Sequence, residues 1–305
     1  MIAVDWGTSN FRGFRLNQEG SVLGKCSSPR GILRVKGAHF EETLREEVGV
    51  WLAEGEERIL LCGMIGSRQG WVEAKYLPCP AGIEDLADAV IQVPFAGAEV
   101  WLIPGVIGSD GGSDGGSDAG SDGARVPEVM RGEETAAIGM LEACGGTGLA
   151  CFPGTHSKWI HLRDHKIVSF ATWMTGETYS ALRQCTILGR TMTADTTIDE
   201  SAFHDGVARS ADSGGLLHHL FGVRTLALMG QMKEAASSSY LSGLLIGHEV
   251  RAAMPRGGMV HLAGALELCS LYVRTIEACG GSATVEDVDA ATRGLAAIGR
   301  RLRWT

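Results

Sequence analysis

One pattern occurs twice in this chain, and it restricts the possible folds more than any other feature. The first copy begins with the apolar run Ile2-Ala3-Val4-Asp5-Trp6, turns at Gly7-Thr8-Ser9-Asn10, and returns through Phe11-Arg12-Gly13-Phe14-Arg15-Leu16. A polar turn, Asn17-Gln18-Glu19-Gly20, then leads to Val22-Leu23. The second copy begins with Leu149-Ala150-Cys151-Phe152, turns at Pro153-Gly154-Thr155-His156, and returns through Ser157-Lys158-Trp159-Ile160-His161-Leu162. Its polar turn is Arg163-Asp164-His165-Lys166, followed by Ile167-Val168. Each copy reads as strand, Gly-Thr turn, strand, polar turn, strand. Two copies in one chain predict an α/β protein of two related domains closing on a nucleotide.

The turns suit phosphate. A glycine lets the backbone approach a ligand with no Cβ in the way. Successive amides and a Thr or Ser hydroxyl can then donate to phosphate oxygens. That makes Thr8, Ser9 and Asn10 candidate donors in the first copy, and Thr155, His156 and Ser157 in the second. Asp5 ends a buried apolar strand, a suitable place for a carboxylate that holds Mg2+ through water. Lys158 would add a point charge. The plainer reading is that Gly7 and Gly154 make tight hairpins, Asp5 caps a turn and His156 is structural. The matched order of the two copies favours the ligand.

Those residues carry a resemblance. Asp5-Trp6-Gly7-Thr8-Ser9-Asn10 resembles the first phosphate motif of the sugar kinase, Hsp70 and actin superfamily, and Pro153-Gly154-Thr155-His156-Ser157-Lys158-Trp159 resembles its second. More narrowly, the chain resembles the 2-dehydro-3-deoxygalactonokinase family of sugar-acid kinases. Supporting segments are Gly63-Met64-Ile65-Gly66-Ser67-Arg68-Gln69-Gly70-Trp71, Met130-Arg131-Gly132-Glu133-Glu134-Thr135 and Met174-Thr175-Gly176-Glu177. The resemblance implies two actin-like, ribonuclease H-like domains with a nucleotide cleft between them, at 1–143 for the sugar acid and 144–305 for ATP. It implies ATP and Mg2+, and phosphorylation of 2-dehydro-3-deoxy-D-galactonate at its terminal hydroxyl.

Site residues follow from that resemblance. Gly132-Glu133 resembles the Gly-Asp that supplies the catalytic base in many sugar kinases of the superfamily, with Glu in place of Asp. Glu134 is the rival base. Carboxylates at a helix start also interact with its dipole, worth roughly 0.3–1 kcal/mol, so both could be structural. The substrate carboxylate calls for a fork-shaped cation. Arg68, in the glycine-bounded loop with Ser67 and Gln69, is the leading candidate, with Arg12 and Arg131 as alternatives. Trp71 and Trp173 would wall the pocket, or pack in a core. Gly7 and Gly154 belong to the phosphate turns, and Gly264 stands where the superfamily has a Gly-Gly beside adenosine, here Gly264-Ala265.

Composition narrows the partners. The 305 residues suffice for two cores. A formal net charge of -9 argues against nucleic acid. Part of it lies in the Gly-Ser-Asp repeat at 108–123, with Asp110, Asp114, Asp118 and Asp122. This stretch lacks the aliphatic positions of calcium-binding β-rolls and reads as a disordered surface loop. The eight cysteines include no C-x-x-C pair and no zinc spacing, which suits a reducing compartment. No signal-peptide pattern or membrane-length apolar run occurs, so a cytoplasmic enzyme is expected, with homo-oligomerisation left open. A P-loop and a G-x-G-x-x-G are both missing. A kinase of a neutral hexose or of 2-keto-3-deoxygluconate, a phosphohydrolase on the same fold, and a nucleotide switch or filament protein are the alternatives.

Local patterns predict further elements: an amphipathic helix from Phe40 to Leu52, a strand at Arg58–Cys62, a short helix from Glu84 to Ile91, and a strand at Val100–Ile103. Helices are expected at Glu133–Ala143, near Thr172–Leu182 with Thr175 as N-cap, and within Gly214–Leu245, where Leu216, Leu217, Leu220 and Phe221 form an apolar face. Met259–Gly264 reads as a strand followed by a helix from Glu267 to Ala278. Thr284 and Asp287 suggest a capping box for the last helix.

Overall fold

A computed structural model of the chain describes residues 1–109, 126–193, 197–286 and 290–304. Both repeated patterns are three-stranded units. The first comprises β1 (Ile2–Trp6), β2 (Phe11–Leu16) and β3 (Val22–Ser28). Then follow α1 (Phe40–Ala53), β4 (Arg58–Cys62), β5 (Leu77–Pro78), β6 (Ala81–Gly82), α2 (Ile83–Asp88), β7 (Ile91–Val93), β8 (Glu99–Leu102) and β9 (Val106–Ser109). Next are β10 (Pro127–Met130) and α3 (Glu133–Met140). The second pattern comprises β11 (Gly148–Phe152), β12 (Ser157–Arg163) and β13 (Lys166–Trp173). After it come α4 (Thr175–Cys185), α5 (Glu200–Arg209), α6 (Gly215–Leu228) and α7 (Ser237–Ala253). The chain closes with β14 (Met259–Leu262), α8 (Leu266–Ala278), β15 (Ser282–Val285) and α9 (Ala290–Gly299).

The chain divides into two compact units: Met1–Gly148 with Ile160–Phe170 and Asp289–Thr305, and Leu149–Trp159 with Ala171–Val288. The first contains a mixed sheet in the order β3-β2-β1-β4-β8-β7. β1 pairs antiparallel with β2 and parallel with β4, with Asp5 opposite Arg12 on one side and Cys62 on the other. A central strand must be apolar on both faces. Ile2, Val4 and Trp6 accordingly share a core with Phe40, Leu44 and Val48 of α1, while Ala3 is also fully buried. Trp6 meets Phe11 edge-on at 5.0 Å between centroids. A smaller sheet, β10-β9-β5, lies in the same unit.

The expected division at 143/144 would put the last helix in the second half, but α9 packs on α3 in the first unit. The helices cross backbone to backbone. A Cβ on Gly139 would fall 1.8 Å from the Ala290 carbonyl oxygen, and one on Gly294 the same distance from that of Thr135. Arg293 Nε also donates to the Gly139 carbonyl at 3.0 Å.

In the second unit β14 pairs parallel with both β11 and β15. Its helices repeat the glycine device. A Cβ on Gly206 of α5 would lie 2.2 Å from the Tyr240 oxygen, and one on Gly243 of α7 2.0 Å from that of Phe203. Leu149, Cys151, Trp159, Phe203, Val260 and Tyr272 contribute to the main core there.

Four local expectations differ from the fold, the first being Thr175, which begins α4 instead of capping it. Thr284 lies in β15, paired with His261, and caps nothing; Asp287 is outside the described residues. The helix expected to reach Ile91 ends at Asp88, because Ile91 pairs with Leu102 in the sheet. On α6, Leu217 is 87% and Phe221 56% exposed, so only Leu216 and Leu220 of the expected apolar face pack against a core. The Gly-Ser-Asp repeat falls outside the described residues from 110 onward. None of the eight cysteines is in a disulfide. Among the described residues no helix is long and apolar enough to cross a membrane.

Candidate functional site

In the first unit the turn after β1 is braced from behind. Its Gly7 amide donates to the Asn10 carbonyl at 3.0 Å. The carbonyls of Gly7, Thr8 and Ser9 accept from the amides of Ile32, Leu33 and Gly31 at 3.0, 3.3 and 3.1 Å. This brace needs Gly31, since a Cβ there would sit 2.3 Å from the Thr8 oxygen. With its carbonyls occupied, the turn exposes Thr8, Ser9 and Asn10. They line an open cleft of about 690 Å³ together with Asp5, Arg12 and Ser28. Arg12 is ion-paired to Asp5, which places its guanidinium at the phosphate turn.

Two glycines bring the catalytic candidates together. Gly63, directly after β4, has φ 95°, and a Cβ there would lie 2.8 Å from the Trp6 oxygen and 3.2 Å from Asp5 Oδ1. Gly132 has φ 109°, and its Cβ would lie 3.2 Å from the Gly63 Cα. Asp5, Gly63 and Gly132 are therefore stacked, which sets the start of α3 beside Asp5. Positive φ makes side chains at both glycines costly apart from the contacts.

The paired glutamates at that start differ sharply. Glu133 is half-buried and accepts from the Arg131 amide at 3.1 Å. Glu134 is fully buried. One of its oxygens accepts from the Gly132 amide at 2.6 Å, the other from the Thr135 hydroxyl at 3.0 Å. Burial pushes its carboxyl up to about 8, the Glu133 charge adding to the shift and the hydrogen bonds opposing it. The neighbouring Cys62 thiol is held well above its usual value by burial, then by the Asp5 and Glu134 charges.

The glycine-bounded loop separates its candidates in the same way. Arg68 is 88% exposed and pairs with Glu73 at 3.0 Å. Gln69 is exposed beside it, and Ser67 is half-buried. Trp71 packs edge-on against Phe95 at 6.3 Å, on the core. Arg131 is buried, stacked at 4.4 Å over Tyr76, with Nη2 donating to the Ala74 carbonyl at 2.8 Å.

In the second unit the turn after β11 adjoins two other elements. A Cβ on Gly176 would fall 2.4 Å from the Gly154 oxygen, so the start of α4 lies against the turn. The Glu177 amide donates to the Thr155 carbonyl at 3.0 Å, and the Glu177 carboxylate pairs with His156. Gly264 adjoins the turn as well, its Cβ position 3.3 Å from the Pro153 oxygen. Gly154, Thr155, His156 and Gly264 are thus brought together.

Ser157 and Lys158 are placed differently from the expectation that they face phosphate. β12 is extended from Ser157 onward, so Ser157 shares a face with Trp159. Both point inward. Ser157 Oγ lies 2.8 Å from the Tyr272 hydroxyl, which donates to Glu249 at 2.7 Å; Trp159 Nε1 donates to the other Glu249 oxygen at 2.7 Å. Burial raises the Glu249 carboxyl, and donors including Thr175, Trp159 and Tyr272 oppose that rise. Lys158 is buried and donates to the Thr172 hydroxyl at 2.7 Å. Glu249 and Tyr272 escaped the sequence reading because nothing local marks them; Glu249 is 90 residues from Trp159.

Comparison with known proteins identifies the family. The family model for 2-keto-3-deoxy-galactonokinase matches residues 5–298. Curated relatives assigned as 2-dehydro-3-deoxygalactonokinase come from Rhizobium meliloti (strain 1021) and Escherichia coli (strain K12). The first is 35% identical over 98% of this chain and 96% of its own length. The second is 31% identical over 95% and 94%. A crystal structure assigned to a 2-dehydro-3-deoxygalactonokinase protein of Sinorhizobium meliloti superposes with a TM-score of 0.86 at 33% identity, covering 98% of both chains. The ADPNP-bound activator of 2-hydroxyisocaproyl-CoA dehydratase from Clostridium difficile is 12% identical over 99% of this chain and 95% of its own; its TM-score of 0.50 speaks to the shared fold alone. The α/β fold is shared with that activator, and this chain belongs to the 2-keto-3-deoxy-galactonokinase family.

Proposed function

We propose that this protein transfers the γ-phosphoryl group of ATP to the terminal hydroxyl of 2-dehydro-3-deoxy-D-galactonate, releasing the 6-phosphate and ADP in galactonate breakdown. The observation that carries this reading is the stacking of Gly132 on Gly63 beside Asp5, which puts a half-buried glutamate next to a phosphate turn. Family membership supplies the substrate class.

Glu133 is the base in this reading. It accepts the proton of the terminal hydroxyl as that oxygen attacks the γ-phosphorus and ADP leaves. Glu134 is unsuited, being fully buried with both oxygens occupied. Thr8, Ser9 and Asn10 donate to phosphate oxygens from one turn, Gly154, Thr155 and His156 from the other, and Gly264 flanks the adenosine. The first unit takes the sugar acid and the second the adenosine.

Asp5 fits a magnesium site of the kind that keeps most of its waters. Among the described residues no cluster of three or more candidate ligands exists. A single carboxylate suffices for Mg2+, which completes its shell with water and phosphate oxygens. Mg2+ bound there would neutralise phosphate charge. Dependence on ATP and cysteines free of disulfides support a cytoplasmic location.

The test is ADP release by purified protein with MgATP and a panel of 2-keto-3-deoxygalactonate, 2-keto-3-deoxygluconate, galactonate, glucose and no acceptor. Release that depends on the galacto keto-deoxy acid is expected. Equal release without acceptor would replace the kinase reading with a hydrolase.

A further inference from the structure

Five side-chain polar atoms of the described residues are buried with no hydrogen-bond partner: Ser67 Oγ, Arg131 Nε, Arg131 Nη1, Trp173 Nε1 and Ser237 Oγ. Three of the five belong to one corner of the first unit. Gly66 adjoins the Arg131 fork so closely that a Cβ on it would lie 2.9 Å from Nη1, and Ser67 is the next residue. Among the described residues no carboxylate pairs with this guanidinium; the Arg131 backbone amide, not its fork, donates to Glu133.

A buried cation with unmet donors is expensive, and native proteins rarely keep one without a reason. What remains free defines the missing partner. Nη2 is held by the Ala74 carbonyl and the guanidinium face by Tyr76, so the plane of the fork is fixed. Each edge of the fork keeps an N–H without an acceptor, and the Ser67 hydroxyl adds a third donor. An α-keto carboxylate offers three acceptor oxygens on adjacent carbons. The chemistry matches in charge and in number, and an arginine fork is the side chain best suited to a planar anion.

We infer that Arg131, assisted by Ser67, is the specificity-determining anchor for the α-keto carboxylate of the substrate, and that the exposed Arg68 is not. The inference rests on the sugar-acid kinase reading above. Gly132-Glu133 follows Arg131 directly, so anchor and base are adjacent in the chain, one for each end of the substrate. The three donors are buried, and the Ser67–Gly70 turn beside them is closed by the Gly70 amide to the Ser67 carbonyl at 2.9 Å.

The experiment compares wild type, Arg131→Met, Arg131→Lys and Arg68→Met on 2-keto-3-deoxygalactonate and on its neutral carboxamide. In Arg131→Met the KM for the acid should rise about 100-fold or more, because an anion site loses its charge and fork. Its KM for ATP and its activity on the carboxamide should change little, so the preference for acid over amide collapses. Arg68→Met should retain that preference. If Arg131→Met retains it, or loses acid and amide activity equally, the inference is wrong. Should Arg131→Met fail to fold, Arg131→Lys keeps the charge without the fork, and an unchanged KM for the acid in that variant overturns the idea. A wild-type enzyme that turns over acid and carboxamide equally would also overturn the anchor, whereas one that releases no ADP in response to the acid would defeat the kinase reading itself.

Discussion

Replacing Glu134 with Gln should change how stability depends on pH, in a direction opposite to that of an ordinary carboxylate. Glu134 is fully buried, and its carboxyl is pushed up to about 8 from 4.5, first by burial and then by the Glu133 charge. The folded protein therefore holds a proton that the unfolded chain has already lost across the interval between those values. A raised folded pKa gives a contribution present in full below the unfolded pKa, and lost as pH rises towards the folded one. The slope is about 1.4 kcal/mol per pH unit, so roughly 3 kcal/mol disappears between pH 5.5 and 7.5. Gln is neutral at every pH and keeps an oxygen for the Gly132 amide. Urea unfolding of Glu134→Gln and wild type, without nucleotide or metal at pH 5.5, 6.5 and 7.5, isolates the effect as a difference. The variant should gain on wild type by about 1.4 kcal/mol per unit. A difference that stays constant with pH would mean that Glu134 ionises like an exposed carboxylate, and the account of α3 would be wrong.

Two further substitutions test the division of labour. Glu133→Ala should lower kcat about 100-fold or more while ATP affinity, read by calorimetry, changes little. Turnover surviving in that variant but abolished in Glu134→Ala would reverse the assignment of the base. Ser157→Ala should cost about 1 kcal/mol in thermal unfolding, one hydrogen bond to Tyr272, with the KM for ATP nearly unchanged. A large rise in that KM would instead return Ser157 to the phosphates.

The backbone of the site was legible because it is local. Gly7, Gly154 and the alternation around them lie within a few residues of the groups they position, and both three-stranded patterns appear at their expected places. The return of α9 to the first unit was not legible. It depends on Gly139 and Gly294 meeting across a long separation, and Arg293 bonds a carbonyl 154 residues away. Thr284 misled for a similar reason: a plausible cap was taken up as a strand by the free edge of β14. The sequence does not rank the arginines by burial. A loop rich in glycine points to Arg68, but only Ala74 and Tyr76, folded over Arg131, distinguish a sequestered fork from a solvated one.

The different surroundings of Glu133 and Glu134 follow from helical geometry. Consecutive residues on a helix point about 100° apart, so the two carboxylates cannot share an environment. Residues three, four and seven beyond Glu134 are Ala137, Ile138 and Leu141, an apolar stripe that is buried throughout. The corresponding set from Glu133 is Ala136, Ala137 and Met140, equally apolar in sequence, of which Ala136 is half-buried and the other two are buried. Glu134 therefore lies on the core-facing stripe, where a carboxylate is tolerated only if protonated or fully bonded. Glu133, one step around the helix, stays half-buried, so two identical side chains meet different surroundings through the direction in which each one points.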